Sequence, residues 1–99
     1  MMIKRIVKME FKTEHIKSFK QLFDANKEKI RAFEGCKHLE LWQDVKNKST
    51  FMTYSYWNAE EDLNNYRHSD LFKTVWSNTK KLFSDRPKAW SVKVLHELK

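Results

Sequence analysis

The segment Thr50 to Val92, TFMTYSYWNAEEDLNNYRHSDLFKTVWSNTKKLFSDRPKAWSV, decides the fold, because three kinds of periodicity follow one another within it. Phe51, Tyr54, Tyr56 and Trp57 crowd a strand-like run. Asn58 and Glu61 then have the N-cap to N3 spacing of a capping box, which opens a helix whose apolar face starts with Leu63 and Tyr66. Carried on at 3.6 residues per turn, that face would pass through Ser69, Asp70 and Lys73, yet the apolar residues that follow are Leu71, Phe72, Val75, Trp76, Leu82 and Phe83. The phase slips. Ser69 is a good N-cap, so the pattern predicts a short helix to about Arg67, a break near His68 and a longer helix to about Ser84. Beyond Arg86 and Pro87, Trp90, Val92, Val94 and His96 alternate with polar residues as a final strand.

Upstream, Cys36 to Val45 reads as a strand joined to Thr50 through the polar turn DVKNKS, giving an antiparallel hairpin. Ile3 to Phe11 alternates apolar and charged residues, as a first strand does. Thr13 can cap the helix that follows, with a stripe of Ile16, Phe19, Phe23, Ile30 and Phe33 and a stop at Gly35. Asn26 is polar where this stripe calls for an apolar side chain. The order strand, helix, strand, strand, helix, strand predicts a single α+β domain over residues 1–99, ferredoxin-like βαββαβ with a four-stranded antiparallel sheet and helices on one face. In the third strand Phe51 and Trp57 face one way and Met52, Tyr54 and Tyr56 the other; one helix layer covers only one side. A second subunit or a ligand is expected over the other.

Composition removes several function classes. No apolar run approaches the about 20 residues of a membrane span, and the N-terminal residues lack a secretory pattern, so a soluble cytoplasmic protein is expected. The lone Cys36 provides neither a disulfide nor a thiolate cluster. The single glycine excludes the Gly-rich phosphate loops, and no nucleophile elbow surrounds a serine or Cys36. His15, His38, His68 and His96 have no ligand spacing, so no metal is expected; His15 reads as solvent-facing, His38 and His96 as strand residues, half-buried or at a subunit contact. The net charge of +7 is interleaved with acids along the first helix, as on a solvated face. The RNA-recognition module shares this element order, but KSTFMTYSYW lacks its glycine and Arg5 and Val7 stand where strand one would carry a stacking ring, so no nucleic-acid partner is expected.

His68 is the candidate acid or base, since a break residue can point into a cavity and an imidazole titrates near neutral pH. Tyr66 and Asn26 are candidate hydrogen-bonding groups; Trp57, Phe72 and Trp76 are candidate stacking walls, with ordinary core packing as the competing reading. Thr79 is a weaker candidate of the same kind.

FEGC at Phe33 to Cys36, YSYW at Tyr54 to Trp57, NAEEDL at Asn58 to Leu63 and YRHSDLF at Tyr66 to Phe72 together resemble the antibiotic biosynthesis monooxygenase (ABM) family of dimeric α/β barrels. The resemblance implies a homodimer formed through the sheet face, a pocket between sheet and helices in each subunit, and cofactor-free oxidation of a small aromatic phenol or quinol by O2. A non-catalytic small-ligand-binding or stress-related barrel is the alternative. Haem breakdown, known in another branch, is a weaker third option: that branch has its axial histidine at the position matching Trp76, a Trp matching Tyr66 and an asparagine matching Ile6 to within a residue, and all three differ here.

Overall fold

The computed structural model describes residues 1–99. Its elements are β1 (Ile3–Glu10), a 3-10 turn (Thr13–His15), α1 (Ile16–Arg31), β2 (Cys36–Gln43), β3 (Thr50–Trp57), α2 (Glu60–Arg67), α3 (Asp70–Lys80) and β4 (Lys88–Val92). The sheet is antiparallel in the order β2-β3-β1-β4, so β1 and β3 are central and the ferredoxin-like expectation holds. No helix is long and apolar enough to cross a membrane.

Period-two alternation sorts the sheet into two faces. Arg5, Val7, Met9, Phe51, Thr53, Ser55 and Trp57 share one face, on which Met9, Phe51, Ser55 and Trp57 are buried and the helices pack. On the other lie Lys4, Ile6, Lys8, Met52, Tyr54 and Tyr56, flanked by His38, Glu40 and Trp42 on β2 and by Trp90 and Val92 on β4. No element of the chain covers this second face. Its edges expose Trp42 by 38%, Trp90 by 45% and Val92 by 41%. Trp42 stacks on Tyr54 at 4.8 Å, and the Tyr54 hydroxyl donates to that of Tyr56 at 2.6 Å. The Lys4 ammonium lies 4.4 Å from the Tyr56 ring centre, and the hydrogen bonds it donates to the two phenol oxygens raise its pKa.

The core divides into two clusters. Met9, Phe11, Phe19 and Phe51 form one, in which Phe11 stacks on Phe19 at 4.1 Å and pairs through its backbone with Phe83. Cys36, Trp57 and Leu63 form the other, packed by Ile3, Phe33 and Tyr66. Gly35 sits between α1 and β2 with φ +88, and a Cβ there would overlap the Asp62 side chain of α2. The glycine thus allows both the left-handed turn and the close approach of α2.

Several local expectations are corrected. Ala59, not Asn58, precedes α2 and no side chain caps that helix; Lys12 rather than Thr13 precedes the 3-10 turn. The first long helix ends at Arg31, short of Gly35, because Ala32 and Phe33 donate back to Glu28 and Ile30 in a closing turn. β2 stops at Gln43, where Asp44 turns the chain by accepting from the amides of Lys46 and Asn47. α3 ends at Lys80, and β4 ends at Val92, leaving Val94, Leu95 and His96 exposed beyond the last β1 pairing partner. His15 is half-buried rather than solvent-facing, with Nδ1 enclosed and unpartnered.

Candidate functional site

Between the two core clusters the helices stand off from the sheet and leave a cavity of about 340 Å³, near the small end of the range for small-molecule sites. Its floor is the middle of β1 and β3, where Arg5, Val7, Thr53 and Ser55 face inward; Phe19, Leu22 and Phe23 of α1 close one side. The broken helix forms the opposite wall. The break falls where the phase slip placed it: α2 ends at Arg67, and the Ser69 hydroxyl accepts from the Phe72 amide at 3.1 Å to start α3. Restarting the helix turns Phe72, Val75, Trp76 and Thr79 toward the same cavity as Leu63 and Tyr66.

Four of the six candidate residues therefore come together. Trp57 stacks on Tyr66 at 5.0 Å, Tyr66 meets Phe72 edge-on at 5.2 Å, and Phe72 stacks on Trp76 at 5.8 Å. These rings form a continuous aromatic wall. Trp57 is 1% exposed, and its indole N–H donates to Ser55 Oγ at 3.0 Å, which removes the penalty of burying that donor. The Tyr66 hydroxyl makes no hydrogen bond within the chain, and burial pushes its phenol well above the usual tyrosine range.

His68 and Asn26 do not join them. The His68 imidazole is exposed and its Nδ1 donates to the Asn64 carbonyl at 2.7 Å, a second hydrogen bond to an oxygen that also accepts the His68 backbone N–H at the end of α2. It is a helix-terminating histidine outside the cavity lining. Asn26 donates to the Leu22 carbonyl one turn back at 2.8 Å and is likewise absent from the lining. Thr79 does line the cavity, although its hydroxyl is committed to the Val75 carbonyl at 2.7 Å. Ile6 points to the uncovered face, so the inward strand-one positions beside it are Arg5 and Val7.

Sequence reasoning missed Arg5, Arg67, Thr53 and Ser55. Arg5 and Arg67 supply the cavity's guanidinium groups, whereas Lys88, at the rim, pairs with Lys8 and so has the parity of the uncovered face; the lining contains no carboxylate and no imidazole. Arg5 is held by one hydrogen bond, to Ser91 Oγ at 2.9 Å, and burial together with the nearby Arg67 charge lowers its pKa. The signal was present as a charged residue at an odd, inward position of a strand whose other odd positions are apolar.

Cys36 and Tyr66 also make an expectation about pH. Burial raises both acids, so below their ordinary values of 9.0 and 10.0 both folded and unfolded chains hold the protons. Above those values the unfolded chain releases protons that the folded chain keeps, and stability falls as pH rises. Thermal melts from pH 7 upward are expected to show this loss starting near 9, with Tyr66→Phe flattening the part above 10. A melting temperature independent of pH across that range would contradict the burial of both groups.

The chain is thus a ferredoxin-like domain with an aromatic, cation-edged cavity between its helices and one face of its sheet, and comparison gives its family. The profile of the antibiotic biosynthesis monooxygenase family matches residues 2–76, and the chain belongs to that family. The heme oxygenase (staphylobilin-producing) of Staphylococcus epidermidis is 39% identical over 56 residues, covering 54% of this chain and 51% of the relative. The chain thus aligns with about half the length of the curated relatives it matches. Among solved structures, Rv0793 from Mycobacterium tuberculosis superposes with a TM-score of 0.90 at 15% identity, covering 100% of both chains. A conserved protein from Methanosarcina mazei Go1 gives 0.89 at 21%, covering 93% of this chain and 91% of that one. At these identities the structural likeness establishes the fold.

Proposed function

We propose that this chain is a cofactor-independent monooxygenase that oxidises a small electron-rich phenol or quinol with O2. The observation that carries the reading is the cavity wall of Trp57, Tyr66, Phe72 and Trp76, which offers a flat ring stacking surfaces and excludes water around it. In such a reaction the ring C–H opposite the hydroxyl becomes a carbonyl. A phenol and O2 give a quinone and one water; the substrate supplies all four electrons, one oxygen atom enters the ring, and the other leaves with the ring and hydroxyl protons. The protein's part is to orient the ring and keep the site dry.

His68 and Asn26 take no part in this reading, because neither side chain lies in the cavity lining. Oxygen uptake with a panel of naphthols and hydroquinones tests it. Turnover is expected in wild type, within about twofold of wild type in His68→Ala, and lower by about tenfold or more in Trp76→Ala, where a stacking surface is lost. No uptake on any member of the panel would favour the second reading, a non-catalytic binder. The absence of any imidazole or carboxylate from the lining is the observation on that side.

Haem is the substrate of the staphylococcal relative, and this lining does not suit a haem held by histidine. Trp76 has no donor atom for iron, and Tyr66, separated from it in the wall by Phe72, keeps its proton. No haem chemistry is assigned to the site.

We further infer a homodimer in which the uncovered sheet face of one chain packs on the same face of a second. The support is the row of apolar and aromatic side chains on that face, Ile6, Met52, Tyr54 and Trp90, which no element of the chain shields.

A further inference from the structure

Arg5 is an anomaly of placement. It occupies the inward face of a central strand, level with Ser55 on β3 and Ser91 on β4, where the neighbouring inward residues Val7 and Met9 are apolar. An isolated guanidinium held partly out of water weakens the fold unless something pairs with it. Nothing in the chain does so fully: Ser91 Oγ accepts a single hydrogen bond, and Arg5 forms no salt bridge. Arg67, also without a salt bridge, lies on the lining of the same cavity, and its charge adds to the cost of Arg5. The favourable interaction of a cation with the end of α2 explains a basic residue at Arg67. It does not explain Arg5.

We propose that Arg5 and Arg67 form an anion-binding head on the aromatic cavity, so that its ligand is an aromatic molecule carrying an anionic oxygen, either a ring carboxylate or an ionised phenol. The proposal deepens the reading of this cavity as the site of a small aromatic and rests on it. Arg67 is exposed and Arg5 half-buried, so the pair stands where the cavity meets solvent. The ring of the ligand then lies against Trp57, Tyr66, Phe72 and Trp76 while its charge stays at the edge. Arg5 donates one of its five N–H groups to Ser91, which leaves the rest of its fork for an oxyanion. No acidic side chain in the lining competes for it. For an ionisable phenol the same pair favours the phenolate, the form that gives up electrons to O2 most readily, and this supplies the activation that no imidazole or carboxylate in the lining provides.

Calorimetric titration at pH 7 and low salt tests the head without reference to turnover. The probes share a naphthalene ring: 1-naphthol, neutral at this pH; 1-hydroxy-2-naphthoate, which adds a carboxylate; and 2,4-dinitro-1-naphthol, ionised without one. Wild type is expected to bind at least one anionic probe about 10- to 100-fold more tightly than 1-naphthol, the range of a charged hydrogen-bonded pair. Preference for the naphthoate assigns a carboxylate, and preference for the dinitronaphthol a phenolate. In Arg67→Gln, an exposed position at which folding is not at issue, the ratio is expected to fall by about tenfold; in Arg5→Gln it is expected to approach one. Should Arg5→Gln fail to fold, Arg5→Lys replaces it and is expected to keep part of the preference. Lys20→Gln, which removes an exposed charge on α1, is expected to keep all of it.

Equal binding of all three probes to wild type, or a preference unchanged in Arg67→Gln and in the Arg5 variant, overturns the head. The proposed reaction fails separately. Anion preference without oxygen uptake keeps the head and removes the oxygenase, whereas uptake with neutral hydroquinones and no anion preference does the reverse.

Discussion

Trp57→Ala is expected to lower the stability of the chain by about 3–5 kcal/mol, the range for truncating a fully buried large aromatic. Trp57 is 1% exposed and terminates β3 at the point where the second core cluster, the cavity and α2 meet. Its ring stacks on Tyr66 and its N–H occupies Ser55 Oγ, so removal opens a void, frees Tyr66 to move and leaves Ser55 without its donor. For a domain of this size the loss corresponds to a fall in melting temperature of about 15 °C or more. Circular dichroism in urea and on heating measures it, since three other tryptophans leave fluorescence ambiguous. Trp57→Phe is expected to recover more than half of the loss, because it restores a ring against Tyr66 while still forfeiting the hydrogen bond to Ser55. Both variants should bind 1-naphthol more weakly than wild type. A Trp57→Ala chain as stable as wild type would show that the aromatic wall bears no structural load and would weaken the case that its spacing is maintained for a ligand.

The fold was legible because its signals are periodic and local. The inward and outward sets of β1 and β3 follow strict alternation, and the break in the second helical region announced itself as a phase slip with a capping serine at its end. End points were less legible. Asn58 and Thr13 have the chemistry of caps, but the chain enters each helix one residue away from the position that would use it. Such shifts depend on how the preceding strand leaves the sheet, and spacing alone carries no information about that. Val94 and His96 continue the alternation of β4 in sequence, yet β1 offers Lys4 as its last partner and pairing stops at Val92.

The aromatic half of the site could be read from spacing, since Trp57, Tyr66, Phe72 and Trp76 fall on the inward sides of their elements once the break is placed. The polar half could not. A residue at a helix break can point inward or turn back on the helix end; the imidazole of His68 takes the second course, its Nδ1 sharing the Asn64 carbonyl with the residue's own backbone N–H. Asn26 met the same fate for a related reason. A short polar side chain in the middle of a helix can bond the carbonyl four residues earlier, and both Asn26 and Thr79 do so. What decides a polar residue's role in this cavity is whether its own helix can satisfy it. Arg5 differs because the backbone groups of a central strand are taken by its neighbours, so the guanidinium must find partners in the cavity.

The uncovered face leads to the second large effect. Ile6→Arg is expected to convert the protein from dimer to monomer at micromolar concentration. Ile6 lies on the central strand β1, level with Tyr54 on β3 and Trp90 on β4, and is flanked on the same face by Lys4 and Lys8. In a single chain the new guanidinium stands in water and costs little. In a face-to-face dimer it would be buried among aromatic rings beside cations of the same sign, and two-fold symmetry would place a second copy against the same surface. Each unpaired buried charge costs several kcal/mol, so the dissociation constant should rise about a thousandfold or more. Light scattering and sedimentation measure the change directly. Trp42 and Trp90, both more than a third exposed in the single chain, report it independently by shifting their emission to the red as water reaches them. The cavity lies on the opposite face of the sheet, so the Ile6→Arg monomer should keep its affinity for aromatic probes if the pocket is complete within one chain. A wild-type protein that is monomeric at these concentrations would leave Tyr54, Trp42 and Trp90 facing solvent and would defeat the dimer, with the cavity argument untouched.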